Sequence, residues 1–142
     1  MEYFRFEVRL LDAAPAPWRQ FLIAKKATFE NLHLAIQCAC DWENCHLFAF
    51  HADRRGPVLA GSPDDESDPP PPDAARVKLA SFFLRGGPDR CFYWYDFGDD
   101  WWHEVRLIEV GRLQERFLAA LRKRSPVPGS GEKAGCDSRA RR

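Results

Sequence analysis

The sequence predicts an α+β domain, an antiparallel sheet built from hairpins with helices packed on one face. Three observations carry that expectation. Phe4, Phe6, Val8 and Leu10 alternate with Arg5, Glu7 and Arg9, the period of a half-buried strand. Phe29, Leu32, Ile36, Ala39 and Cys40 fall on one side of a helix. Residues 93–105 set strand-forming aromatics on both sides of a turn made by Gly98, Asp99 and Asp100, an aromatic-walled hairpin. Tight hairpins imply antiparallel pairing, and mixed strands and helices imply helices on one face of the sheet.

In chain order, Ala13-Ala-Pro-Ala-Pro17 ends the first strand, and Trp18 to Ile23 reads as its returning partner. Thr28 is a suitable N-cap for the helix, which runs to about Asp41 and Trp42. Cys45 to His51 alternates again, placing His46, Phe48 and Phe50 on one side. Residues 53–75 are acidic and Pro-rich, with four prolines at 69–72, and predict a solvated, mobile loop of polyproline character. Val77 to Leu84 suits a short helical run or turn. The hairpin continues to about Val110. Leu113, Phe117 and Leu121 then predict an amphipathic helix over 111–124, ending in Arg122, Lys123 and Arg124 where cations suit the helix dipole. Residues 125–142 read as a flexible basic tail, leaving a single domain over 1–124.

A chain of 142 residues can bury a core without staples. Its 21 basic and 21 acidic residues give no net charge, which argues against a domain-wide clamp on nucleic acid. Nucleic acid remains possible through the basic C-terminal run but is not favoured. The five cysteines are odd in number, no Cys-x-x-Cys occurs and no signal peptide opens the sequence, so a reducing, cytoplasmic location is expected. No apolar run approaches a membrane span, and no membrane partner is expected.

Residues 93–105 hold three of the five tryptophans, three aspartates and one of four histidines. Hairpin parity suggests that Asp96 pairs near His103 on the face that carries Trp94 and Trp101. Asp96 would then orient the imidazole, share a cation with it, or simply hold the hairpin shut while the other aspartates build the turn. The candidate pocket is Asp96, Asp99, Asp100, Trp101, His103, Trp94, His33 and His46. No zinc-finger or His-Glu-x-x-His spacing is present, so no metal or other cofactor is expected. A divalent metal held by Asp96, His103, His33 and His46 is the alternative. Catalytic residues are not assignable, because no Gly-x-Ser-x-Gly or Gly-rich phosphate loop occurs and Cys45 and His46 point to opposite faces of a strand. The acidic surroundings of the aromatics suit a peptide, a basic segment or a cation better than nucleic-acid bases.

Pro17-Trp-Arg19, Thr28-Phe-Glu-Asn-Leu-His-Leu-Ala-Ile-Gln37, Asp41-Trp-Glu-Asn-Cys-His-Leu-Phe48 and above all Tyr95-Asp-Phe-Gly-Asp-Asp-Trp-Trp-His103 form an ordered set. Over roughly residues 4–110 the chain resembles the plasmid pRiA4b ORF-three-like family, proteins found near mobile elements. The resemblance implies an α+β fold and brings no established activity. Similar proteins continue into a Cys-containing, Gly-rich segment with Pro-Pro-Glu-Asp. Here Pro126-Val-Pro-Gly-Ser-Gly-Glu-Lys-Ala-Gly-Cys136 lacks that acidic pair. The expected function is a binding or accessory module associated with mobile elements, more a non-enzyme than an enzyme, holding an unknown protein, peptide or small ligand. The alternative is a metal-dependent hydrolytic enzyme using the hairpin's Asp/His cluster.

Overall fold

The computed structural model describes residues 1–114. Strands β1 (Glu2–Leu10), β2 (Trp18–Ala24), β3 (Phe48–His51), β4 (Val58–Gly61), β5 (Arg90–Tyr95) and β6 (Trp101–Arg112) form one antiparallel sheet in the order β2-β1-β6-β5-β3-β4. Helix α1 (Phe29–Ala39) is the one α-helix among the described residues, and Leu79–Ser81 adds a single 3₁₀ turn. This overturns the expected α+β fold with several helices packed on the sheet. The molecule is mostly antiparallel sheet with one short helix.

The physical reason lies in β6. Gly111 and Arg112, expected to open a second helix, instead extend the strand, opposite Tyr3 and Glu2 of β1. A central strand satisfies its backbone donors and acceptors on both sides, which outweighs a helical pattern whose apolar residues lie mostly further on. The rest of that helix, and the tail, were expected at positions outside the described residues.

The strand expectations hold elsewhere. Phe4, Phe6 and Val8 are buried on the covered face of β1, and Arg5, Glu7 and Arg9 stand on the other. Thr28 caps α1 through its side chain and forms a capping box with Asn31. The helix buries Phe29, Leu32 and Ile36 against Phe48, Phe50, Leu79 and Phe83. A bulge in the β1–β6 ladder between Arg5 and Phe6 leaves Ile108 as the extra residue, so Arg5 still meets Glu109 and Glu7 meets Arg106.

The Pro-rich stretch is also corrected at both ends. Residues 58–61 form β4, and Ala74 is fully buried in the core. The Gly61 N–H donates to the Pro72 carbonyl, the Ala74 N–H returns to the Gly61 carbonyl, and Pro71 packs where a Gly61 Cβ would stand. Ala74 and Val77 carbonyls then accept the Glu30 and Phe29 N–H groups, closing the first turn of α1. Between β4 and Asp73 there is no regular strand or helix. The prolines thus form a strap laid across the sheet edge and tied at both ends.

Candidate functional site

The hairpin β5–β6 puts Tyr93 opposite His103, Trp94 opposite Trp102, and Tyr95 opposite Trp101. Side chains in these ladders alternate between faces. Tyr93, Tyr95, Trp101 and His103 therefore lie under α1, and Trp94 and Trp102 stand on the open face. The expected pairing of Trp94 with Trp101 on one face is corrected accordingly.

On the covered face His33, Gln37, Tyr93 and His103 have their polar groups engaged, whereas the Trp101 indole N–H is buried without a hydrogen-bond partner. The Asn44 backbone N–H donates to Gln37 Oε1 at 2.7 Å, which fixes that amide's orientation. Gln37 Nε2 then donates to the Tyr93 hydroxyl at 2.8 Å, the hydroxyl donates to His33 Nδ1 at 2.6 Å, and His33 Nε2 donates to Asn44 Oδ1 at 2.7 Å. The chain of donors begins and ends on Asn44, whose positive φ of 52° lets it turn back towards the helix. His33 also stacks on Phe48 with ring centroids 3.7 Å apart. Burial pushes its pKa down to about 4, so the ring is neutral.

His103 is likewise closed. Its Nδ1 donates to the Tyr93 carbonyl at 3.2 Å, and its Nε2 accepts from the Trp42 indole N–H at 3.2 Å. Desolvation lowers its pKa to about 4. Asp96 does not reach it. The Asp96 carboxylate lies 3.4 Å from His46 Nε2, and its other oxygen accepts the Asp99 N–H across the turn. Asp96 and Asp100 both take positive φ, at 59° and 64°, which suits aspartate in a tight turn.

The candidate pocket therefore divides. His33, Trp101 and His103 are on the covered face, His46 and Asp96 sit together at its rim, Asp99 is in the turn, and Trp94 and Asp100 belong to the open face. Asp96, His103, His33 and His46 do not converge, and among the described residues no group of three or more His, Cys, Asp or Glu side chains is placed to hold a metal ion.

The open face carries a second constellation. Trp94 stacks on Trp102, nearly parallel with centroids 5.2 Å apart, and on Phe97 at 4.1 Å. Asp100 Oδ1 accepts both indole N–H groups, from Trp94 at 2.6 Å and Trp102 at 3.1 Å. Arg54 lies over the Trp102 ring at 5.2 Å and pairs with Asp12. His51 abuts both indoles and donates through Nδ1 to the Gly56 carbonyl, while its Nε2 is buried without a hydrogen-bond partner. Beside this stack runs a groove of about 470 Å³, bounded by Leu47, Ala49, Val58, Trp94 and Phe97 on one side and by prolines 69–72 on the other.

The sequence model of the family described as plasmid pRiA4b ORF-3-like protein matches residues 2–131. The chain belongs to that family. Among relatives of this pRiA4b ORF-3-like chain, the uncharacterized protein y4hQ of Sinorhizobium fredii is 35% identical over 123 residues. That alignment covers 87% of the chain and 58% of y4hQ, so the chain spans little more than half of that relative's length. The crystal structure of MM3350 from Methanosarcina mazei Go1, a protein of unknown function, is similar with a TM-score of 0.68 and 30% identity. The match covers 80% of this chain and 63% of that one. These relatives carry the fold and no assigned activity.

Sequence reasoning missed the roles of Trp42, Asn44 and Tyr93, which bond the two histidines, of Gln37, which holds Tyr93 and Asn44, and of Trp102, Phe97 and Arg54 on the open face. The parity of β5 and β6 separates Trp94 from Trp101 once the pairing register is known. The register hangs on whether the turn begins at Asp96 or Gly98, which the sequence leaves open. No helix among the described residues is long and apolar enough to cross a membrane.

Proposed function

We propose that this protein is a non-enzymatic binding module that seats its ligand in the open-face groove between the Trp94 stack and the proline strap. The observation that carries this reading is the division of the hairpin between its two faces. Beneath α1 the polar groups of His33, Gln37, Tyr93 and His103 are bonded to one another and to their neighbours, whereas the open face carries a groove walled by aromatic rings and prolines. A groove of rigid rings and prolines also loses little side-chain entropy when a ligand docks. The family resemblance supports an accessory role in the cytoplasm, alongside mobile elements.

A metal-dependent hydrolase has no geometric observation in its favour, because both buried imidazoles have their lone pairs committed. Metal analysis of purified protein checks that alternative.

The test is to pan a random twelve-residue displayed peptide library against the full chain and against Val58→Trp, which places a bulky ring in the groove. Val58 is exposed, so the variant should keep the wild-type melting temperature. Peptides retained by the wild type and lost from the variant support the reading. Equal retention by both proteins sinks it.

A further inference from the structure

We propose that the groove recognises an extended, positively charged peptide segment; this rests on the binding-module reading and names the chemistry of its ligand. The first ground is charge. Between Gly56 and Ala75 the chain has no lysine or arginine, while Asp64, Asp65, Glu66, Asp68 and Asp73 crowd the strap. Asp65 lines the groove itself. Its carboxylate accepts the nearby Ser67 N–H. Asp73 pairs with Arg76. Among the described residues Asp64, Glu66 and Asp68 take part in no ion pair, and all three are exposed. Beyond Phe97, Asp99 and Asp100 add two more carboxylates from the hairpin turn. A cationic segment lying along the groove would thus run between two negative borders.

The rest of the open face behaves differently. There Arg5 pairs with Glu109, Arg90 with Glu104, and Glu7 meets both Arg9 and Arg106. Those carboxylates are already neutralised by cross-strand partners. On the sheet's open face these strands carry paired carboxylates, whereas the acidic strap beside the groove carries Asp64, Glu66 and Asp68 without ion pairs among the described residues. Arg54, over the Trp102 ring, is already taken by Asp12 and that ring.

The second ground is shape. Four prolines in a row make a wall of about 12 Å, which matches about four extended residues of a ligand. Alternate side chains of an extended ligand would face the apolar floor of Ala49, Val58 and Trp94, with the others pointing towards the acidic borders. An alternating apolar and basic strand-like segment fits both. Nucleic acid does not, because its phosphates would face these carboxylates.

The experiment is the same peptide selection with a second variant, Asp64→Asn/Glu66→Gln/Asp68→Asn, which alters exposed groups alone. Retained peptides should be enriched in Lys and Arg over the input library. The triple variant should bind them about tenfold more weakly, and raising NaCl from about 0.05 to 0.5 M should weaken wild-type binding similarly. Groove-dependent peptides with no Lys/Arg enrichment, or with undiminished affinity for the triple variant, overturn the charge inference and leave the binding module standing. A selection with no peptide dependent on Val58 overturns both. A single-stranded oligonucleotide bound in the groove, competing with the peptides, also overturns the inference.

Discussion

On the covered face His33 and His103 are each bonded through both ring nitrogens, whereas His51 on the open face is bonded through one. The three imidazoles lie in one small domain and differ in what surrounds them. Beneath α1 each ring nitrogen of His33 and His103 meets a tyrosine, asparagine, tryptophan or backbone group, so those histidines act as parts of the core. On the open face the aromatic stack is held by Asp100 and Arg54, and a nitrogen and three carboxylates are left without bonded or ion-pair partners among the described residues. Aromatic and polar residues clustered in a sequence need not share a site. Here the pleat splits the cluster into a half packed beneath α1 and a half on the open face beside the proline strap.

The sharpest way to break this comparison is acid. Each buried imidazole has its pKa depressed from 6.5 to about 4, so below pH 6.5 the unfolded chain binds protons that the folded one refuses. Their contribution is present above pH 6.5 and is lost as pH falls towards 4, on the order of 3 kcal/mol for each histidine. Urea melts across that window should show falling stability, and His33→Gln should remove about half of the histidine-dependent slope. A flat profile would show that the covered histidines are not buried neutral. Glu7, whose carboxyl is held low chiefly by its hydrogen bond from Gln20, adds an acid loss in the same direction at lower pH.

His103→Ala comes next, at about 3–5 kcal/mol, because it opens a cavity and leaves the Trp42 indole N–H without an acceptor. Asp96→Asn should not reproduce this loss, since Asp96 contacts His46 and not His103. Equal effects of the two variants in denaturant titrations would restore an Asp96–His103 couple. Tyr93→Phe keeps the ring and removes the hydroxyl that joins Gln37 to His33, for a loss of about 2–3 kcal/mol by the same measurement. Asp100→Ala on the open face should lower stability by only about 1 kcal/mol while shifting tryptophan fluorescence, since two indole N–H groups lose their acceptor. If Asp100→Ala proved as damaging as His103→Ala, the open face would be as structural as the covered one.

Much of the sheet was legible because its strands alternate. The sequence of β1 exposes its pattern outright, and Thr28 announces the helix start. The fold class was misjudged where one residue had two readings. Gly111 resembles a helix boundary, yet in β6 it leaves room for the Tyr3 ring, which passes where a Cβ would stand. Prolines 69–72 cannot join a ladder, and that much was readable. Their anchoring by Gly61 and Ala74 depends on contacts between segments that composition does not encode. The site was legible as a composition and illegible as a geometry. Trp94, Asp100 and His103 stand out in the sequence, but the partners that the structure gives them, Trp42, Tyr93 and Trp102, look like ordinary core aromatics until the strands are paired.

The strand order also bears on how the chain is made. β1 precedes the other described strands in the chain and lies second from one edge of the sheet, between β2 and β6. β2 can pair with it early, and β3, β4 and β5 can pair among themselves, but these two groups meet only across β6. Until residues 101–112 leave the ribosome, one long edge of β1 and the facing edge of β5 remain open. The last described strand is the seam of the molecule, so a nascent chain stopped short of it holds two half-sheets with exposed edges and a divided core.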